Sequence, residues 1–240
     1  MVTRRPDGNS LALIGVILYL LEFAVFIPLG VSFPAPAETD PVSFYAGRET
    51  PYALMAVLLS VLLLGRVAFI AGLRGGLRSA VSAAPLSDVA LAAMTASVLL
   101  ELTSLWLITG AAQLASAGPG GPGVAALDAS AGWLTLGVFA TLGVAVAVAS
   151  LAMLQSRLFP AWLGWLGLIS GIGLAGSAVA AIASGETPTS MGPVSGIGSF
   201  AWLGMVIWML TTGIILLRRR RATPTDPPLD AAATRLVSSA

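Results

Sequence analysis

The sequence contains no cysteine, no histidine and no lysine, and its twelve basic residues are all arginine. The absence of cysteine excludes disulfide bonds, a thiolate nucleophile and iron–sulfur clusters. The absence of histidine removes the usual base of a serine triad and the commonest transition-metal ligand. Without lysine, Schiff-base chemistry on retinal or pyridoxal phosphate is excluded as well. We therefore expect no cofactor, and the remaining chemistry disfavours an enzyme.

Charge is also scarce, since 10% of the 240 residues are charged and 57% are hydrophobic. A soluble domain carries about 25% charged residues. The net charge of +1 gives no reason to expect a nucleic-acid partner. Several apolar segments have the roughly 20 residues that a helix needs to cross a bilayer. These features predict an all-α, polytopic bundle of six transmembrane helices at about 10–30, 52–73, 88–114, 132–154, 161–184 and 196–217. This domain covers residues 1–221, and the proline-containing segment 222–240 is predicted to be a disordered cytoplasmic tail.

The arginines indicate the orientation of the predicted helices. Only Arg48 falls in a loop on one side of the membrane, and Arg66 lies inside the second helix. Positively charged loops face the cytoplasm, so both termini are predicted to be cytoplasmic. The ten arginines on that side are Arg4, Arg5, Arg74, Arg78, Arg157, Arg218, Arg219, Arg220, Arg221 and Arg235.

The first apolar segment has an alternative interpretation as a cleaved signal peptide. It follows a basic start and precedes the triplet Ala35-Pro36-Ala37, which loosely fits a cleavage site. Its apolar run is longer than the about 7–15 residues of a signal core, and it contains Glu22. These features favour an uncleaved helix.

Three ionisable residues lie inside the predicted helices. Glu22 and Glu101 lie near the middles of the first and third helices. Arg66 lies about four residues, or about 6 Å, from the middle of the second, which an extended arginine side chain can cover. The three charges are therefore predicted to meet at one level. Ser97 and Ser104 share a helix face with Glu101, and Tyr19 is three residues from Glu22, which predicts a polar seam.

Two carboxylates and one guanidinium leave one net negative charge if all three ionise. Arginine does not give up its proton, so one carboxyl would be protonated or the site would hold a cation. The cluster then has two interpretations. It is either a structural ion pair that makes insertion tolerable, which we favour at this point, or a site for a proton or a polar substrate.

The segments between the predicted helices carry further signals. Asp40 and Pro41 predict an N-cap and a short helix over 41–48, which would cap the bundle or line a ligand entrance. The segment 116–130 is predicted to be a flexible connector, and Ser87 to be the N-cap of the third helix. Pro160 is predicted at the start of the fifth helix. The Gly167/Gly171 spacing predicts close packing inside the bundle rather than at a dimer interface.

Four consecutive arginines follow the sixth helix and suit a topology anchor. They would also bind anionic lipid headgroups, at about 1 kcal/mol for each residue near the surface. Topology anchoring alone is the simpler interpretation. The four residues are Arg218, Arg219, Arg220 and Arg221.

The last three helices carry a recognisable pattern. The run from Arg157 to Gly167 reads RLFPAWLGWLG; a glycine-rich helix and a final helix with Ile207-Trp-Met-Leu and Leu-Leu-Arg-Arg follow. This pattern resembles a large bacterial family of small multispanning proteins catalogued as a domain of unknown function. The resemblance implies six helices in a bacterial plasma membrane and carries over no catalytic residues.

Three classes of function remain open. The first is a non-enzymatic membrane component that binds or regulates a partner, or shapes the bilayer; the partner would be another protein or a second copy of the chain. The second is a small proton- or cation-linked transporter built on the Glu22, Arg66 and Glu101 cluster. The third, an enzyme acting on lipid, is the weakest because only carboxylates and tyrosine could supply acid–base chemistry. Elimination favours the first class.

Overall fold

The computed structural model describes residues 8–29, 35–36, 39–77, 83–118, 120–184 and 193–222. These ranges form eight α-helices, and six helical segments are long and apolar enough to cross a membrane. The predicted all-α bundle with six spans is therefore confirmed, and its orientation stays a prediction. The predicted tail lies almost entirely outside the described residues. The helices are α1 Gly8–Leu29, α2 Pro41–Tyr45, α3 Glu49–Leu62, α4 Leu64–Leu77, α5 Ala84–Ala117, α6 Gly121–Ser156, α7 Ala161–Ala183 and α8 Pro193–Ala222.

The second span consists of two helices rather than one. Helices α3 and α4 together form the span Glu49–Leu77, and they are separated at Leu63. The backbone N–H of Arg66 donates to the carbonyl of Leu63, three residues earlier, at 3.1 Å. This bond closes a tighter turn than an α-helix allows. The prediction of one unbroken helix over 52–73 is therefore wrong at this point, and the break lies three residues before Arg66.

Helices α5 and α6 extend further than predicted. The connector between them is short, and α6 begins at Gly121, so the flexible loop predicted over 116–130 is wrong. A proline in the first turn of each helix is compatible with this start, because the first turn needs no backbone donor there. Ser87 is not an N-cap, since α5 begins at Ala84 and the Ser87 hydroxyl donates to the Ala84 carbonyl at 2.7 Å.

Helices α6 and α7 approach each other closely through glycines. A Cβ on Gly171 would lie 2.5 Å from the backbone nitrogen of Ala147 and 2.6 Å from the carbonyl oxygen of Gly143. The small residues of α7 therefore pack inside the bundle, as predicted. The prediction that Pro160 stands at the start of this helix is also confirmed, since Pro160 is its N-cap residue.

Two buried apolar clusters fill the bundle. One joins α1, the first half of α5, and α4, α6, α7 and α8, and it contains Tyr19, Phe69 and Trp208. The other joins α2, α3, α5 and the start of α6 and contains Tyr45 and Tyr52. Val67 packs against both clusters. Its neighbour Arg66 therefore lies at the level where the two clusters meet.

Candidate intramembrane site

A close crossing of α1 and α4 brings the first carboxylate to the arginine. A Cβ on Gly65 would lie 2.5 Å from the Cβ of Leu18 and 2.9 Å from the carbonyl oxygen of Gly15. Only glycines allow the two backbones to approach this closely. Arg66 follows Gly65 directly, and its Nη2 lies 2.5 Å from Oε1 of Glu22 on α1.

The second carboxylate comes from α5, on the other side of the arginine. Nη1 of Arg66 donates to Oε2 of Glu101 at 2.6 Å, and Nη2 makes a longer bond of 3.4 Å to Oε1 of Glu101. The three charges predicted at one level are therefore in direct contact. Three helices, α1, α4 and α5, each supply one charged side chain.

The cluster is buried, and several of its polar atoms have no partner. The side chain of Arg66 is 4% exposed, that of Glu22 12% and that of Glu101 16%. Within the part of the chain that the structure describes, Glu22 Oε2, Arg66 Nε and the Tyr19 hydroxyl make no hydrogen bond. The guanidinium carbon of Arg66 lies 5.3 Å from the centre of the Tyr19 ring, within the range of a cation–π interaction. Buried polar atoms of this kind are rare and require a physical explanation.

The predicted serines lie elsewhere. The Ser97 hydroxyl donates to the Val138 carbonyl at 3.4 Å, and the Ser104 hydroxyl donates to the Ala131 carbonyl at 3.0 Å. Both acceptors belong to α6. A serine side chain is short and bonds to the helix that it packs against, whereas the longer Glu101 side chain reaches Arg66 from nearly the same helix face. Of the six predicted residues, the structure joins Tyr19, Glu22, Arg66 and Glu101.

A buried carboxylate that was not among the predicted site residues lies at the opposite end of the bundle from Arg74 and Arg219. Asp128 of α6 is 4% exposed, although it falls within the flexible connector predicted over 116–130. Its Oδ1 accepts a hydrogen bond from the Tyr45 hydroxyl at 2.5 Å and another from the Ala35 backbone N–H at 3.0 Å. Burial and this carboxylate raise the pKa of Tyr45 far above its usual value, so the phenol stays neutral. The sequence indicates a buried position for Asp128 only when residues 121–131 are taken to be helical.

Through its two hydrogen bonds, Asp128 holds the segment between α1 and α3 against α6. Helix α2 begins after Asp40, whose side chain accepts from the Ser43 backbone N–H at 3.0 Å, as predicted for an N-cap. The centres of the Tyr45 and Tyr52 rings lie 5.3 Å apart, in an edge-to-face contact. Further along, the Gly47 N–H donates to the Ser116 hydroxyl at 3.0 Å. These contacts fit the capping interpretation of this segment.

Replacing Asp128 by alanine should loosen this segment. Two buried donors, the Tyr45 hydroxyl and the Ala35 N–H, would lose their acceptor, at about 1–3 kcal/mol for each group left unpaired. We expect a lower unfolding temperature in detergent and faster tryptic cleavage after the exposed Arg48. Asp40→Ala is the control, because it removes an exposed N-cap worth about 1 kcal/mol. A larger drop in unfolding temperature from Asp40→Ala than from Asp128→Ala would contradict this role of Asp128.

Further arginines lie at the ends of the helices. Arg74 of α4 pairs with Asp88 of α5, and Arg219 of α8 lies over the Phe159 ring, 4.8 Å from its centre. Arg219 also donates to the carbonyl of Leu158. Within the described ranges, no group of three or more acidic side chains is arranged as metal ligands.

Comparison with known proteins leaves the chain to be interpreted from its own residues. No protein-family model, curated protein or solved structure matches it. The resemblance noted for the last three helices therefore stays a prediction. The length and apolar character of six helices indicate an integral membrane protein, and that is the class to which we assign the chain.

Proposed function

We propose that this integral membrane protein is a small transporter that couples its work to a proton or a cation at the Glu22, Arg66 and Glu101 cluster. The observation that carries the proposal is the contact of two carboxylates with one buried guanidinium. The alternative, a non-enzymatic component that binds or regulates a partner, was favoured by elimination. It stays a prediction.

The second carboxylate is difficult to explain by structure alone. A charged side chain at the bilayer centre costs at least about 2.5–3.5 kcal/mol on insertion scales. One glutamate would neutralise Arg66 and fix the register of two helices. A second one adds a negative charge that has to be neutralised by a proton or a cation each time it is buried. Exchange of that positive charge is the chemistry that the additional acid makes available.

We also propose a setting for this activity. The distribution of arginines supports cytoplasmic termini, and the resemblance of the last three helices supports a bacterial plasma membrane. The exposed Arg157, Arg218 and Arg219 lie at the ends of α6 and α8, where anionic headgroups would bind them. A homo-oligomer or a protein partner is compatible with the exposed apolar helix faces, and each stays a prediction.

Flux measurements test the transport proposal. Purified protein in liposomes should move protons, recorded with an enclosed pH-sensitive dye, or Na⁺ or K⁺, recorded with the corresponding ion-sensitive dye. Glu22→Gln and Glu101→Gln should each reduce the flux to that of protein-free liposomes, because either change removes the uncompensated negative charge.

Glu49→Gln is the matched control for these variants. Glu49 lies at the start of α3 and accepts a hydrogen bond from the Ser116 hydroxyl at 2.7 Å, outside the cluster. The control should keep the wild-type flux. Wild-type fluxes of all three ions that equal the protein-free value, or that survive both glutamine substitutions, would refute the proposal.

A further inference from the structure

We infer that the exchanged ion is a proton and that Glu22 carries it, whereas Glu101 remains the ionised partner of Arg66. This inference rests on the proposed function, because it names the ion and the residue at the same site. It is carried by an asymmetry in how the two carboxylates contact the guanidinium.

Glu101 contacts Arg66 through both of its oxygens, and Glu22 through one. The two bonds to Glu101 measure 2.6 Å and 3.4 Å and use both terminal nitrogens of Arg66. A two-point contact of this kind holds a carboxylate in its charged form and fixes its geometry. Oε2 of Glu22 is buried without a donor in the described part of the chain. Negative charge on that oxygen has no hydrogen-bond donor among these residues to stabilise it, so this oxygen is the one that binds the proton.

A second buried polar group without a partner among the described residues lies near Glu22 on the same helix, although it is not bonded to Glu22 in this structure. Tyr19 lies one helical turn before Glu22, and its buried hydroxyl has no partner within the described ranges. A hydroxyl can accept from a protonated carboxyl and donate to an ionised one. Glu22 is therefore the acid that has a second unbonded polar group, three residues away, on its own helix face.

The charged side chains near Glu22 are Arg66 and Glu101, so the charge of the cluster depends on these residues and on whether Glu22 holds a proton. Arg66 faces it from α4 and Glu101 from α5, with Tyr19 on α1 itself. Helix α3 carries its one charge at Glu49, which is bonded to Ser116. Helix α8 is charged only from Arg218 onward, beyond Gly213, which lies against Val16.

The proton exchange itself is simple. When Glu22 loses its proton, the O–H bond at Oε2 breaks, the electron pair stays on that oxygen and the proton passes to water. The charge of the cluster changes from zero to −1, and uptake of a proton restores it.

A metal cation fits this cluster less well than a proton. Cations such as Ca²⁺ take six or more oxygen ligands. The cluster offers Oε2 of Glu22 and the Tyr19 hydroxyl as its unbonded oxygens, and the guanidinium of Arg66 lies against both residues. A proton needs only one oxygen.

Labelling of the wild-type protein with dicyclohexylcarbodiimide tests the assignment. This lipid-soluble reagent adds a protonated carboxyl across one of its C=N bonds and leaves an N-acylurea that mass spectrometry locates. The full chain in liposomes at neutral pH should be labelled on Glu22, and labelling should disappear when the pH is raised until the site ionises. Labelling on Glu101, or on neither glutamate, would overturn the assignment.

Infrared spectroscopy provides a second test that does not depend on access of the reagent. The wild-type protein at neutral pH should show a carbonyl band of a protonated carboxyl. Glu22→Asp should shift that band, and Glu101→Asp should leave its frequency unchanged. A shift with Glu101→Asp alone would contradict the inference. If Glu22 holds the proton but liposomes show no flux, the assignment stands and the transport proposal fails.

Discussion

Replacing Arg66 by methionine should lower the free energy of unfolding by about 3–5 kcal/mol. Arg66 is 3% exposed, and it is the cation in contact with both Glu22 and Glu101. Methionine fills a similar volume, but it leaves two buried acids with no positive charge between them. The loss therefore comes from the uncompensated carboxyl groups rather than from lost packing.

The triple variant Glu22→Met, Arg66→Met, Glu101→Met is the control for this prediction. Replacing a whole buried group of paired charges by well-packed hydrophobic residues of similar volume is often neutral or stabilising. The triple variant should therefore recover most of the stability that Arg66→Met loses. Reversible unfolding in detergent micelles measures both variants. If the triple variant is as unstable as Arg66→Met, the shape of the arginine side chain is what matters, and its charge is not.

The sequence was sufficient to place the three charges at one level of the membrane, but not to predict that they touch. Span length and rise per residue fix the depth of each side chain in a membrane helix, and depth alone brought Glu22, Arg66 and Glu101 to one level. The contacts within the cluster depend on which helix faces which, and depth does not specify that. Helices that are apolar all round give little indication of their inward face. Ser97 and Ser104 show the consequence, because they bond to α6 instead of joining Glu101 at the arginine.

A second signal was present in the sequence and was not used. Gly8 and Gly15 are separated by seven residues, and so are Gly65 and Gly72. In the structure these two pairs face each other, since a Cβ on Gly72 would lie 2.5 Å from the Gly8 carbonyl oxygen and one on Gly15 would lie 2.5 Å from the Gly65 carbonyl oxygen. A spacing of seven keeps residues on one face of a helix. The Gly167 and Gly171 pair indicates only the packing of α7, whereas these two pairs indicate the crossing of α1 and α4 that positions Glu22.

Asp128 was missed for a different physical reason. Glycine and proline at 118–123 are typical of a loop, and this composition dominated the prediction for the following residues. Proline and glycine are equally compatible with the first turn of a helix, which is where Gly121 and Pro122 lie. The alanine-rich segment after them favours helix, and its contacts with α2 bury Asp128.

The close crossing of α1 and α4 leads to the second prediction with a large effect. Gly65→Ala should lower the free energy of unfolding by about 1–3 kcal/mol, the usual cost of overpacking a tight contact. The new Cβ would lie 2.5 Å from the Leu18 Cβ and 2.9 Å from the Gly15 carbonyl oxygen, so the two helices have to separate. This separation also lengthens the bond between Arg66 and Glu22, while the bond to Glu101 on α5 is retained. Proton flux should therefore fall together with stability.

Gly76→Ala, on the same helix, is the matched control. A Cβ at Gly76 meets no atom of the other described residues within 4 Å, so the substitution adds only the helix preference of alanine over glycine, a gain of up to about 1 kcal/mol. Thermal unfolding and liposome flux are measured for both variants. We expect Gly76→Ala to keep the wild-type flux with equal or higher stability. Equal behaviour of the two variants would mean that the helix crossing does not position Glu22. If Gly65→Ala loses stability but keeps the wild-type flux, the packing of α1 against α4 stabilises the protein and is not needed for transport at the charged cluster.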